Sequence, residues 1–231
     1  MNTLVIVLGV MLVVIIMMSL FSRLFSSETT LAENLHLAGA IPDLANDKLT
    51  SSANRTYGVL IYVNTWDNNN KNKMIFGREN DVLLYLDKSS AVLKCKIKPT
   101  ADEVTNANSS ADVIPDVVDI TNNFPIQKWV YVTIVLDSAG ITDFYLDGKL
   151  VKSVQNENIS VTVSSSPLKF GSGHDTYISK IDRIGKVLGP SDVWSKYMKN
   201  NSGSSLKNSI GNYNVNLSIL KDNVIASTFS F

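Results

Sequence analysis

Few residues in this chain are of types that do chemistry, and their spacing limits what that chemistry could be. Cleaving a glycosidic bond takes two carboxylates, ~5–5.5 Å apart for retention or ~6.5–9.5 Å apart for inversion. Candidates are scarce, because the glutamates are only Glu28, Glu33, Glu79, Glu103 and Glu157. A calcium site needs several oxygen ligands that converge. Asp112, Asp116 and Asp119 are close in sequence, and Asp175 and Asp182 lie further on, but none sits in a recognisable ligand loop. Gly171-Ser172-Gly173-His174 is a glycine-rich turn without the pattern of a phosphate loop or a nucleophile elbow. His36 and His174 are the only histidines and Cys95 the only cysteine, too few for a histidine-rich metal site. Trp66 borders an asparagine-rich loop, where it could stack on a sugar ring or pack at a domain rim. The expectation is no catalytic set, no metal and no cofactor, with Trp66 a weak candidate for ligand contact.

Charge and composition narrow the partners. The 231 residues hold 21 basic and 21 acidic side chains, so there is no basic footprint for nucleic acid. One cysteine rules out an intramolecular disulfide and leans toward a reducing compartment. Residues 4–21 carry no charge and one polar side chain, Ser19. As a helix they would span ~27 Å at ~1.5 Å per residue, close to the ~30 Å hydrocarbon core of a bilayer. The apolar positions Leu4, Val5, Ile6, Val7, Leu8, Val13, Val14, Ile15, Ile16, Leu20 and Phe21 would face lipid, and Arg23 would snorkel to the head groups. A cleaved signal peptide would have a positive n-region and a small-residue cleavage site, and neither is present. The segment reads as a single retained anchor in a lipid bilayer.

The elements that would position any site are strands. Residues 57–63, 73–77, 82–86, 91–97, 113–120, 129–136, 141–146, 158–163, 167–171 and 176–184 are short and apolar or alternating. Both alternating sets of 129–136, which begins at Trp129, are largely apolar, so both faces of that strand should be covered. Tyr145 and Leu146 lead into Asp147-Gly148, a hairpin signal that requires positive φ at both positions. Alternation in 91–97 puts Cys95 inward and Lys94 and Lys96 on a wet face. The polar run 98–112 reads as a loop. Pro115 marks the next strand as an edge or a bulge. Thr30-x-x-Glu33 has capping-box spacing and suggests a short helix after the anchor. A helix is expected over 191–199, capped by Ser191, with Val193, Trp194, Tyr197 and Met198 packed on a sheet. Residues 213–219 and 222–231 read as a terminal hairpin. The division that follows is an anchor at 1–25, a juxtamembrane linker at 26–50 and a β-domain at 51–231.

Lys128-Trp129-Val130-x-Val132 followed by Tyr145-Leu146-Asp147-Gly148-Lys149-x-Val151 resembles the central motif of laminin-G-like, concanavalin A-like jelly-roll domains. Leu168-Lys169-Phe170-Gly171, then Ile178–Ile184 and Pro190-Ser191-Asp192-Val193, resembles the closing part of the same family. The resemblance spans roughly residues 45–200. It implies an all-β, concanavalin A-like antiparallel β-sandwich with one short helix near its C-terminal end. The fold signature is Trp129, Tyr145, Asp147 and Gly148. Glucanases of this class carry Glu-x-Asp-x-x-Glu on one strand, and Glu79-x-Asp81-x-x-Leu84 lacks the last carboxylate. Behind an N-terminal anchor, such domains are similar to minor capsid proteins of large DNA viruses with an internal membrane. The function expected from this resemblance is structural: a non-enzymatic, single-pass virion protein linking that membrane to the capsid shell through other capsid proteins. The alternative is a membrane-anchored, lectin-like module that binds glycan.

Overall fold

The computed structural model describes residues 28–45, 49, 52–67, 69–108, 114–155, 164–201, 216–221 and 224–230, together with three helical positions, Met11, Val14 and Met17. Two antiparallel sheets face each other. The larger has, in spatial order, β1 (Glu28–His36), β11 (Thr176–Ile184), β2 (Arg55–Val63), β7 (Trp129–Leu136), β8 (Ile141–Leu146) and β9 (Lys149–Gln155). The smaller has β10 (Lys169–Phe170), β3 (Lys73–Gly77), β4 (Val82–Leu86), β5 (Leu93–Ile97) and β6 (Val117–Thr121). The jelly-roll sandwich expected from the motifs is therefore present. The terminal hairpin, β12 (Asn216–Lys221) and β13 (Val224–Ser230), pairs as a sheet of its own.

The core follows from the period of two along each strand. Val59, Ile61 and Val63 of β2 and Val130, Val132, Ile134 and Leu136 of β7 point to the smaller sheet. They meet Val82, Leu84, Leu86, Leu93 and Cys95, all fully buried. Cys95 is inward as its alternation requires, and burial raises its thiol pKa well above the usual range. The outer faces are capped by short helices. Helix α1 (Ala101–Asn106) buries Val104 against Met74, Leu83 and Tyr85. Helix α2 (Pro190–Asn201) buries Val193 against Val135, Tyr145, Ile184 and Leu188. That second cover is why every residue of β7 after Trp129 is buried.

The structure corrects several local readings. Thr30-x-x-Glu33 caps no helix, because residues 28–36 are strand β1, paired with the outer edge of β11. A helix this short is marginal in water, whereas the strand satisfies an exposed sheet edge and buries Leu31. The stretch read as a linker therefore belongs partly to the sandwich, with Leu44 bridging Leu168 and Leu49 buried. The working capping box lies in the segment read as a loop: Thr100 Oγ1 accepts from the Glu103 N–H, and the Glu103 carboxylate from the Thr100 N–H. Lys96 is not on a wet face. It is nearly buried and donates to the Pro115 carbonyl at 2.7 Å. Helix α2 starts at Pro190, a residue suited to a first turn, and Gly189 O accepts from the Val193 N–H. Only half of its apolar stripe packs, since Trp194 and Met198 are each 44% exposed.

Of the expected anchor, Val14 is helical and exposed. Leu4, Val5, Ile6, Val7, Leu8, Val13, Ile15, Ile16, Leu20, Phe21 and Arg23 lie outside the described residues, as does the strand expected at 158–163. Among the described residues no helix is long and apolar enough to cross a membrane.

Candidate functional site

Helix α2 covers only part of the outer face of the larger sheet. At the end it leaves open, four rings from four adjacent strands stand side by side. His36 of β1 pairs in register with Tyr177 of β11, Tyr177 with Tyr62 of β2, and Tyr62 with Trp129 of β7. The His36 and Tyr177 rings stack at 4.0 Å with an interplanar angle of 3°. Tyr62 meets Tyr177 edge-on at 6.4 Å and Trp129 at 5.3 Å. Three gaps between strands of ~4.8 Å make the row about 14 Å long. Trp129 is 42% exposed and Tyr177 36%, so apolar ring surface faces solvent in a continuous band.

Polar groups close one end of the row. Asp175 precedes β11, and its carboxylate accepts from Asn64 Nδ2 at 2.7 Å and Thr65 Oγ1 at 3.0 Å, with His36 Nε2 at 3.0 Å. Those hydrogen bonds, from Asn64 first and then His36, hold the Asp175 carboxyl below its ordinary pKa. The other end carries Lys128, 3.2 Å from Asp147. An uncovered aromatic band with hydrogen-bonding groups at its end can hold a flat hydroxylated ring or an apolar partner surface.

The residues singled out from the sequence separate into different roles. Trp129 belongs to the row and is exposed, which corrects the expectation that it packs inside. Tyr145 is buried beneath α2. Asp147 and Gly148 have φ of 48° and 76°, as the hairpin turn requires. Asp147 does more than turn: its Oδ1 accepts from the Tyr131 N–H at 2.9 Å and so fixes the start of β7 beside Trp129. Trp66 is not part of the row. It is half-buried against the core, with the Lys73 ammonium 4.4 Å from its ring centroid, so its ring is already engaged. Tyr62, Tyr177 and His36 were missed. Their strands are far apart in the chain, and only the pairing register brings them together.

Asp81, Glu79 and Asp182 are engaged structurally. Asp81 is buried and receives Arg55 Nε at 2.6 Å, the Tyr57 hydroxyl at 2.7 Å and Arg78 Nη1 at 3.3 Å. Glu79 accepts from Ser166 Oγ at 2.7 Å. Asp182 is buried between Lys180, Lys196 and the Thr30 hydroxyl. Among the described residues no group of three or more His, Cys, Asp or Glu side chains could hold a metal ion. His174 is buried, with Nε2 on the Met74 carbonyl at 2.8 Å and Nδ1 on Thr176 Oγ1 at 2.9 Å. Burial lowers its pKa to about 4, so it is neutral at physiological pH.

This architecture has relatives. A laminin-G-type family model, described as the concanavalin A-like lectin/glucanases superfamily, matches residues 40–183. The chain belongs to that superfamily. Among solved structures it is similar to the receptor binding domain of botulinum neurotoxin D, with TM-score 0.53, 15% identity, and coverage of 73% of this chain and 44% of the other. The receptor binding domain of a botulinum neurotoxin C/D mosaic serotype aligns with TM-score 0.52 and 18% identity, over 71% of this chain and 42% of the other. The chain thus spans less than half the length of these structures, and at such identities the likeness is one of fold. No curated protein matches the chain.

Proposed function

We propose that the protein is a non-enzymatic, membrane-anchored recognition module whose contact surface is the aromatic row His36–Tyr177–Tyr62–Trp129. The observation that carries this reading is the register, which aligns four rings on a sheet face that helix α2 leaves open. The ligand class it suits best is a glycan chain, whose pyranose faces stack on aromatic rings while its hydroxyls reach Asn64, Thr65 and Asp175. The receptor-binding role of the neurotoxin domains of like fold supports recognition as the class of function. The absence of enzymatic action is supported by the carboxylates: Asp81 is spent on two arginines and a tyrosine, and Glu79 is engaged by the Ser166 hydroxyl. Residues 4–21 would fix the chain in a bilayer, with Arg23 at the head groups.

The test is binding of the full chain, in detergent, to a glycan array. Tyr62→Ala and Trp129→Ala should each weaken a hit about 30-fold, the ~2 kcal/mol scale of an aromatic hot spot. Trp66→Ala should leave the hit intact. Equal binding by all three variants would end the reading. The anchor is tested separately: the protein should resist extraction from membranes by alkaline carbonate, and mass spectrometry should find residues 1–21 in the mature chain.

The second reading is the minor capsid protein joining an internal viral membrane to its shell. It is favoured by the apolar segment ahead of the sandwich and by rings that suit a protein surface as well as a sugar. A blank glycan array, together with protein retained inside intact virions and shielded from external protease, would decide for it.

A further inference from the structure

Between residues 69–73, Asn108 and residues 172–174 lies a cavity of about 260 Å³. That is just below the ~300–1,000 Å³ of typical small-molecule sites and suits one sugar-sized group. Its lining is polar: Lys71, Lys73, Asn72, Asn108, Ser172 and His174.

Lys73 is the unusual member. It is only 1% exposed, yet among the described residues no carboxylate lies within ion-pair distance of its ammonium. Its contacts are one long hydrogen bond to the Lys71 carbonyl, at 3.4 Å, and the Trp66 ring. A buried charge without a counter-charge is costly, and such charges are ordinarily paired. Desolvation accordingly lowers the Lys73 pKa, only partly offset by the more distant Asp67 and Asp87. The same cavity lining carries uncommitted polar groups. Asn108 spends its oxygen on the Met74 N–H at 3.0 Å and keeps its NH₂. The Asn72 amide and the Ser172 hydroxyl have no hydrogen-bond partner among the described residues. His174, neutral and satisfied at both nitrogens, serves as a wall.

We propose that this cavity binds a small hydroxylated carboxylate, an acidic monosaccharide residue, whose carboxylate pairs with Lys73 and whose hydroxyls bond to Asn72, Asn108 and Ser172. Of the two lining lysines only Lys73 is buried, Lys71 being exposed, so the enclosed part of the cavity matches a single negative charge, and the amide and hydroxyl lining matches a polyol. The site is distinct from the aromatic row, and its occupation does not depend on the row binding anything.

The experiment titrates the full chain, in detergent, with glucuronate, glucose and inorganic phosphate, followed by calorimetry. Glucuronate should bind at least about tenfold more tightly than glucose or phosphate. Lys73→Met should abolish that binding without lowering Tm, because it replaces an unpaired buried cation by an apolar chain of similar length. Ser172→Phe, at an exposed rim position, should block the cavity and give the same loss if Lys73→Met fails to fold. Tyr62→Ala should leave glucuronate binding unchanged, which separates this site from the row. Equal affinity for glucose, binding of phosphate alone, or undiminished binding by Lys73→Met or Ser172→Phe would overturn the proposal.

Discussion

Replacing Asp81 by asparagine tests whether this carboxylate holds the fold together or is a remnant of catalytic machinery. Asp81 is 1% exposed and faces Arg55 at 2.6 Å, Arg78 at 3.3 Å and the Tyr57 hydroxyl at 2.7 Å. Arg55 and Arg78 are themselves only 4% and 1% exposed, so neither can turn to water when the charge is removed. Asparagine keeps the volume but presents one neutral oxygen and an NH₂ that opposes the surrounding donors. Removing one partner of a buried ion pair typically costs ~3–5 kcal/mol. Against a total stability of ~5–15 kcal/mol that is a large fraction, and it corresponds to a fall in Tm of about 6–20 °C for a domain of this size. The assay is urea unfolding of wild type and Asp81→Asn, followed by circular dichroism. A double-mutant cycle with Arg55→Met should show coupling above about 1 kcal/mol, because the two side chains touch. A loss below about 1 kcal/mol, or a gain in stability as expected when a strained active-site group is removed, would refute the structural assignment.

Three further outcomes are expected. The buried His174 has a pKa near 4, against 6.5 when unfolded, so its folded form is neutral and stability is lost as pH falls from about 6.5 toward 4. Between pH 7.5 and 5 this amounts to ~2 kcal/mol, read as a falling urea midpoint. His174→Gln, which keeps a donor for the Met74 carbonyl, should flatten that dependence, and an unchanged slope would refute it. Gly171→Ala places a methyl group 1.7 Å from the Met74 backbone oxygen, so the β10–β3 pairing must shift, at a cost of at least ~1–3 kcal/mol in the same unfolding assay. Cys95, fully buried with its thiol pKa raised, should react with a thiol reagent only at the rate of unfolding; fast labelling of native protein would contradict its place in the core.

Several residues show where local reading stopped. Two Thr-x-x-Glu sequences are present, and only the one at Thr100 caps a helix. The one at Thr30 lies in a strand, because β11 offers an unpaired edge that residues 28–36 fill. The local signal is the same in both, and tertiary pairing decides between them. Trp129 carried the family motif but not its exposure. Whether the first residue of a strand lies under a helix depends on where α2 docks, more than fifty residues later in the chain. Trp66 was the visible candidate because it neighbours a polar loop, and the Lys73 ammonium that engages its ring could not be placed from sequence.

By itself the sequence determined what a period of two and a turn chemistry can determine: the strands β2 to β8 and β11, the Asp147-Gly148 hairpin, the inward Cys95 and membership of the jelly-roll superfamily. These depend on neighbours a few residues apart. Tertiary structure alone decided which side chains meet across the sheets. His36, Tyr62, Trp129 and Tyr177 form one row because β1, β11, β2 and β7 pair in a register that a shift of one residue would destroy, by turning a strand's rings to the other face. Asp81 finds Arg55 and Tyr57, and among the described residues Lys73 pairs with no carboxylate, for the same reason: long-range packing fixes which charges share the interior, and no local pattern records it.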